Sequence, residues 1–372
     1  MSRKLSEQDL EDLSRGAALL GSGGGGDPYI GRLMVREVLR SGAEVTLWDL
    51  EEVPEDAFVV PTAMMGAPTV MIEKLPAGFE GTLALQALEE YLGRKASATM
   101  PIECGGINST MPLVVGARAG IPVIDADGMG RAFPELQMET FHVYGVPGTP
   151  MAIANEHGDV AILRTHDNKQ MEWFARGITI RMGGSALIAE YSMDGATVRR
   201  ASIPGTLSLG IGLGRAIREA RERHQDVIAH LEGALRPTVY GAPHVIFEGK
   251  VEDVFRRTTE GFARGSARIR GFSRERVLNI EFQNEHLIAT VEGEVLAVVP
   301  DLICILDLET GEPITTEGMR YGQRVRVITI TPPEIMRTPE ALAVFGPRAF
   351  GIDHDYRPRD EAGSTAVRPA AR

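Results

Sequence analysis

The chain has 372 residues, 43% of them hydrophobic, and a formal net charge of −12. A chain of this size can bury a sizeable core and is expected to divide into two domains, while its acidic balance and scattered Lys and Arg argue against nucleic acid and towards a small polar or zwitterionic ligand. Cys104 and Cys304 are the two cysteines, too far apart for a disulfide scaffold or a thiolate zinc knuckle, and with no signal-like segment or long apolar run they fit a cytoplasmic protein away from membranes.

In chain order, Leu10, Leu13, Ala17 and Leu20 recur at helical spacing after Ser6, whose partner three residues on, Asp9, completes a capping-box pattern. The helix ends at the run GSGGGGDP, residues 21–28. Four consecutive glycines cost backbone entropy and bury no side chain, so the run reads as a loop whose backbone approaches a ligand, or else as a tight interhelical turn. Asp27 as cap and Pro28 as first helical residue predict a second helix over 28–40. Free amides at such a helix start favour an anion or a polarised carbonyl.

Short apolar runs then alternate with helical patterns: strands near 44–47, 58–60, 99–102 and 122–124, a turn at Met65-Gly66-Ala67-Pro68, and helices near 83–92 and 111–119. This alternation predicts an α/β domain over 1–167 with a largely parallel sheet. A C-terminal domain follows over 168–358, with a helical segment at 168–236 and a predominantly β part at 244–332, a sandwich or small barrel. The tail 359–372 is poor in large apolar residues and is expected to be disordered.

Ligands of open α/β sheets bind beyond the carboxyl ends of the strands, and the chain places its unusual residues there. ECGGIN supplies Glu103, Gly105, Gly106 and Asn108; DADGMGRAFPE supplies Asp125, Asp127, Arg131 and Glu135. Crowded carboxylates bind a proton or share a cation, which suits general acid–base catalysis or a hard metal site; Asn108 and Asp127 also suit plain helix capping. The histidines form no HExxH pair, leaving His142 and His157 as isolated candidates, and Cys104 is either a nucleophile or a small buried residue. Ser22 has no GxSxG setting. Neither glycine tract matches a P-loop, and the tetraglycine run follows a helix where a dinucleotide fold would need a strand.

Taken with RMGGSA, IPGTLS, RTTEGFARG, FQNEHLIA, VPDLICILDLETGEPI, RYGQRV and GPRAFGIDHDY, these motifs make nearly the whole chain resemble the S-methyl-thiohydantoin desulfurase family. The resemblance implies hydrolytic removal of sulfur from a thiohydantoin-type ring, assisted by zinc, in the breakdown of histidine-derived thiols. Its implied site comprises Ser22, Gly23, Gly24, Gly25, Gly26 and Asp27 with the two acidic loops. Asp125 or Asp127 would activate water beside Glu103, directly or through a divalent metal; the resemblance does not assign the metal's ligands, for which the residues themselves offer Asp125, Asp127 and His142 as candidates. The glycine amides and Asn108 would stabilise charge on the ring, and Arg131 would receive a substrate carboxylate. Relatives often carry cysteine where this chain has Ser22. A ring-opening hydantoinase-like amidohydrolase and a non-catalytic metabolite-binding regulator are the rival expectations, and a homo-oligomer is expected in each case.

Overall fold

The computed structural model describes residues 3–67, 70, 73–272 and 276–359; the expected turn residue Pro68 and the tail beyond Arg359 lie outside the described residues. The first helix, Glu7–Leu20, carries the expected capping box: Ser6 Oγ accepts from the Asp9 amide at 3.1 Å and Asp9 Oδ2 from the Ser6 amide at 3.2 Å. The next helix, Pro28–Arg40, opens on Asp27, whose Oδ1 accepts from the Tyr29 amide at 2.8 Å.

The first sheet runs in spatial order Arg3–Lys4, Thr46–Trp48, Val123–Ile124, Ala98–Met100, Phe58–Gly66, Ser185–Ala189, Met151–Ala154 and Val160–Leu163, with Met193–Asp194 beside the start of Phe58–Gly66. Parallel pairing is confined to its middle, from Thr46–Trp48 to Phe58–Gly66. Every other pairing in it is antiparallel, so the sheet is mixed where a largely parallel one was expected. The physical reason is the short connection between Met151–Ala154 and Val160–Leu163, which can only make a hairpin, whereas parallel neighbours need a crossover. The parallel middle still brings the carboxyl ends of Phe58–Gly66, Ala98–Met100 and Val123–Ile124 side by side, with the loops that follow them.

The second sheet is a single antiparallel one, ordered Glu294–Val298, Glu285–Val291, Val277–Gln283, Phe262–Gly271, Pro243–Thr259, Arg324–Ile330 and Leu302–Asp307. It curls until Glu285–Val291 nears Leu302–Asp307: the Val299 amide reaches Leu287 O at 2.9 Å and His286 Nδ1 reaches Ile303 O at 2.8 Å. The long hairpin turns at Glu260 and Gly261, both at positive φ (56° and 82°), the geometry a two-residue hairpin loop requires. Leu302–Asp307 escapes a periodicity reading because it is buried on both faces over most of its length and shows no alternation.

The two sheets share a core. Leu10, Leu13 and Leu20 of the first helix pack in one cluster with Leu209, Leu213 and Ile217 of the helix Thr206–Glu222 and with Leu302, Cys304 and Ile328 of the second sheet. The two helices touch backbone to backbone. A Cβ on Gly16 would stand 1.8 Å from Gly210 O, and one on Gly214 would stand 1.7 Å from Asp12 O. The buried Asp12 also takes a bidentate pair from Arg218 at 2.9 and 3.0 Å. On the same helix a Cβ at Gly212 meets nothing within 4 Å. Gly214→Ala is therefore expected to cost about 3 kcal/mol by forcing the helices apart, while Gly212→Ala gains about 0.5–1 kcal/mol from helix propensity; urea unfolding of the two variants checks the contrast.

Candidate functional site

A cleft of about 530 Å³, part of it open to solvent, lies where the glycine loop, the loops after the parallel strands and the second sheet meet. Its polar wall comes from Glu103, Asn108, Glu135, Arg176, Asn284 and Glu285, its glycine edge from Gly25, Gly26 and Gly66, and its apolar lining includes Met64, Met65, Met129 and Phe133. Such a mixture of apolar body and polar groups suits a small-molecule ligand.

Glu103 is held by one oxygen. Its Oε1 accepts from Asn108 Nδ2 at 2.7 Å, while Oε2 is buried without a partner. Asn108 is in turn clamped to Met64, accepting its amide at 2.7 Å and donating to its carbonyl at 3.1 Å. The amide thus fixes the carboxyl against the strand Phe58–Gly66 and has no donor left for a ligand. Glu285 repeats the arrangement from the second sheet: Oε1 accepts from the Gly25 amide at 3.0 Å and Oε2 is buried without a partner. Burial pushes Glu103 well above the usual carboxylate range, with the Glu285 charge adding to it. Burial also raises Glu285, to about 8, against the opposing pull of the Arg131 charge. Two carboxyls of raised proton affinity in one cleft, one of them under the pull of a buried guanidinium, are the elements of an acid–base pair.

The glycine run earns its composition by close approach. A Cβ on Gly24 would stand 2.2 Å from Glu285 Oε1, and one on Gly25 2.7 Å from Gly105 O; the Ile107 amide bonds Gly25 O at 2.9 Å. The amides of Gly24 and Gly25 are used within the protein, on Gly21 O and Glu285. Gly105 and Gly106 serve the same contact from the other side and do not line the cleft, and neither do Gly23, Gly24 or Asp27.

Several expected site residues take positions behind the cleft wall. Asp127 accepts from the Cys104 amide at 2.7 Å and the Gly130 amide at 3.0 Å, tying the two acidic loops together; burial raises it to about 7. Asp125 caps the helix Thr206–Glu222 by accepting from the Ser208 amide at 3.0 Å and from its hydroxyl. Arg131 is neither on the surface nor facing the cleft. It is fully buried and donates to Ala132 O, Asp301 O and His286 O. Ser22 is buried as well, its hydroxyl donating to Ile303 O at 3.0 Å and accepting the Ile303 amide at 2.8 Å. Cys104, buried against Thr206, has its thiol pushed well up by burial and is not a thiolate nucleophile.

The metal candidates do not converge. Asp125 and Asp127 spend their oxygens as described, His142 Nδ1 bonds Asn168 Nδ2 at 3.0 Å elsewhere in the fold, and His157 is exposed beside Glu156. Among the described residues no three His, Cys, Asp or Glu side chains form a metal-holding group. The donor set therefore does not fit a bound zinc, and no step below passes through one.

Sequence reading missed Asn284, Glu285 and Arg176. Its available signal was the polar cluster Gln283-Asn284-Glu285-His286 set between apolar strand residues, with Asn284 at φ 58°.

Residues 8–165 match the family model for the S-Me-THD-like N-terminal domain, and residues 166–359 match that for the S-Me-THD-like C-terminal domain. Among solved structures, the chain is similar to a crystal structure of a protein from Chromobacterium violaceum, with 26% identity, a TM-score of 0.81, and coverage of 96% of this chain and 99% of that one. No curated protein matches. Among the described residues no helix is long and apolar enough to cross a membrane.

Glu285 titrates ordinarily at 4.5 and in the fold at about 8, so the folded state holds a proton that the unfolded chain releases over that interval. The associated stability is fully present below about pH 4.5 and is lost as pH rises through about 8. E285Q should remove this dependence, leaving the variant more stable than the parent at about pH 9 by a few kcal/mol and no more stable at about pH 4; urea midpoints at the two pH values test it.

Proposed function

The chain belongs to the S-methyl-thiohydantoin desulfurase-like (S-Me-THD-like) family, and on that premise we propose that it is a hydrolase of a hydantoin-type ring that removes sulfur from an S-methyl-thiohydantoin or thiohydantoin. The observation that carries the reading is the pair Glu103 and Glu285, each with one oxygen fixed by the protein and one buried oxygen unpartnered at the cleft.

In an S-methyl-thiohydantoin the carbon between the two ring nitrogens bears the methylthio group. Water adds there: its oxygen bonds the carbon, one proton goes to a carboxylate, and the adjacent ring nitrogen takes a proton from a carboxylic acid. Collapse of the adduct breaks the carbon–sulfur bond: the hydroxyl proton passes to the carboxylate left by the acid, the carboxyl that took the water proton gives it to the departing sulfur, and methanethiol leaves as the carbon becomes a carbonyl, so that ring plus water gives hydantoin plus thiol. Glu285 is the base, because the buried Arg131 charge favours its ionised form. Glu103 is the acid, because burial and the charge of ionised Glu285 keep its proton on. Asn108 orients the acid, and the apolar lining excludes bulk water from the reacting carbon.

The test is to incubate the purified full chain with S-methyl-thiohydantoin, thiohydantoin and hydantoin while following released thiol and ring absorbance. Thiol release is the expected result; ring opening without thiol points to an amidohydrolase, and binding without turnover to a metabolite-binding protein. E103Q and E285Q should each lower thiol release by about 100-fold or more. Activity should rise with pH as Glu285 ionises near 8 and fall when Glu103 loses its proton.

A further inference from the structure

Asn284 lines the cleft with one polar group still unassigned. It joins the strands Val277–Gln283 and Glu285–Val291 at φ 58°, a left-handed conformation that asparagine tolerates better than most side chains. Its amide donates to Ala263 O at 2.7 Å, its carbonyl accepts from Thr316 Oγ1 at 3.2 Å, and its Oδ1 accepts from the Ala263 amide at 2.8 Å. Only an oxygen can accept from that amide, so the contact fixes which end of the side chain is which and leaves Nδ2 as the free end. Nδ2 donates to none of the described residues, and it is not sealed from solvent as Oε2 of Glu103 and of Glu285 are. The residue is 4% exposed, and the opening it borders is the cleft.

The other nitrogen-bearing side chains of the cleft wall are largely committed. Asn108 Nδ2 serves Met64 O and Glu103. Arg176 places Nε on Glu172 at 2.7 Å and Nη2 on Pro134 O at 2.9 Å, with its guanidinium 4.4 Å from the Phe262 ring centroid. It keeps only Nη1, one end of a cation whose charge Glu172 already matches. Asn284 therefore supplies the free side-chain amide of the cleft, and it is next in the chain to Glu285. A ligand that fills the cleft displaces water from this amide. A ring with a carbonyl there restores the lost hydrogen bond, whereas a ring without an acceptor leaves the N–H group stranded.

We propose that Asn284 Nδ2 donates to the ring carbonyl of the substrate and thereby selects an oxo-substituted ring over a cyclic isothiourea that lacks the carbonyl. The inference rests on the desulfurase reading for the identity of the reacting ring. In S-methyl-thiohydantoin the carbonyl carbon is bonded to one of the two nitrogens that flank the reacting carbon. When water adds across the double bond between that nitrogen and the reacting carbon, the electron pair moves onto the nitrogen and is shared with the carbonyl oxygen until the acid delivers its proton. A donor on that oxygen gains strength as the charge develops, so it favours the transition state over the bound ring.

The test compares two rings that differ at one position: S-methyl-thiohydantoin, and 2-methylthio-2-imidazoline, which has a methylene in place of the carbonyl. Asn284→Asp keeps an oxygen for the Ala263 amide, and Asn284→Gly accepts the left-handed turn with no side chain; both remove the amide donor. The ratio of kcat/KM for thiol release by the full chain, carbonyl ring over methylene ring, should fall by about 10-fold or more in both variants. A residue that served only the turn would slow both rings alike, so an unchanged ratio overturns the assignment. If the parent chain releases thiol from neither ring, the desulfurase reading fails and binding decides the assignment separately. Hydantoin should then bind the parent about 10-fold or more tighter than 2-imidazolidinone, the same ring without that carbonyl, and calorimetry should show both variants losing the difference. Equal affinity for the two rings in the parent, no binding of either, or a preference that survives both substitutions overturns it.

Discussion

The buried guanidinium of Arg131 joins the halves of the molecule at the one place where the site needs them joined. It leaves the loop after the parallel strands and donates to His286 O and Asp301 O of the second sheet. It has no access to solvent, and burial lowers its own proton affinity, to about 10, against the pull of the surrounding acids. A buried charge with its donors satisfied by carbonyls is expensive to create and more expensive to strand. Its return here is electrostatic, because it is the cation that favours ionised Glu285 in an otherwise acidic interior.

Around that charge the cleft is assembled by backbone approach. The glycine run touches Glu285 on one side and the ECGGIN loop on the other, at distances no side chain would permit. The rigidity of the result comes from short internal hydrogen bonds: Gly25 to Glu285, Ile107 to Gly25, Asn108 to Met64 and Glu103. The pair of carboxyls proposed as acid and base requires such fixing, since small errors in placement cost rate steeply.

Desolvation sets the chemistry. Glu103 and Glu285 both hold protons beyond the usual carboxylate range because burial disfavours their charged forms, and Arg131 separates the two by favouring one of them. Asp127, which resembles a third reacting acid when viewed along the chain, spends its oxygens on backbone amides and acts as the clasp between loops. Ser22 is likewise a structural hydroxyl bridging the first helix to Ile303.

The amino-acid sequence determined everything that local physics controls: the capped helices on either side of the glycine run, the strand ends carrying Glu103, Asn108 and Glu135, the β character of the later segment, and through its ordered motifs the family. These follow from periodicity, capping and turn chemistry within a few residues. Only the tertiary structure decided that the first sheet is mixed, that Asp125, Asp127 and Arg131 turn away from the cleft, and that Glu285 turns into it. Those outcomes depend on which strand lies next to which and on which oxygen each buried donor reaches, relations that span from 23 positions for Cys104 with Asp127 to 260 for Gly25 with Glu285 and that no local pattern encodes. The side of a wall on which a carboxylate ends is fixed by the partners burial leaves available to it.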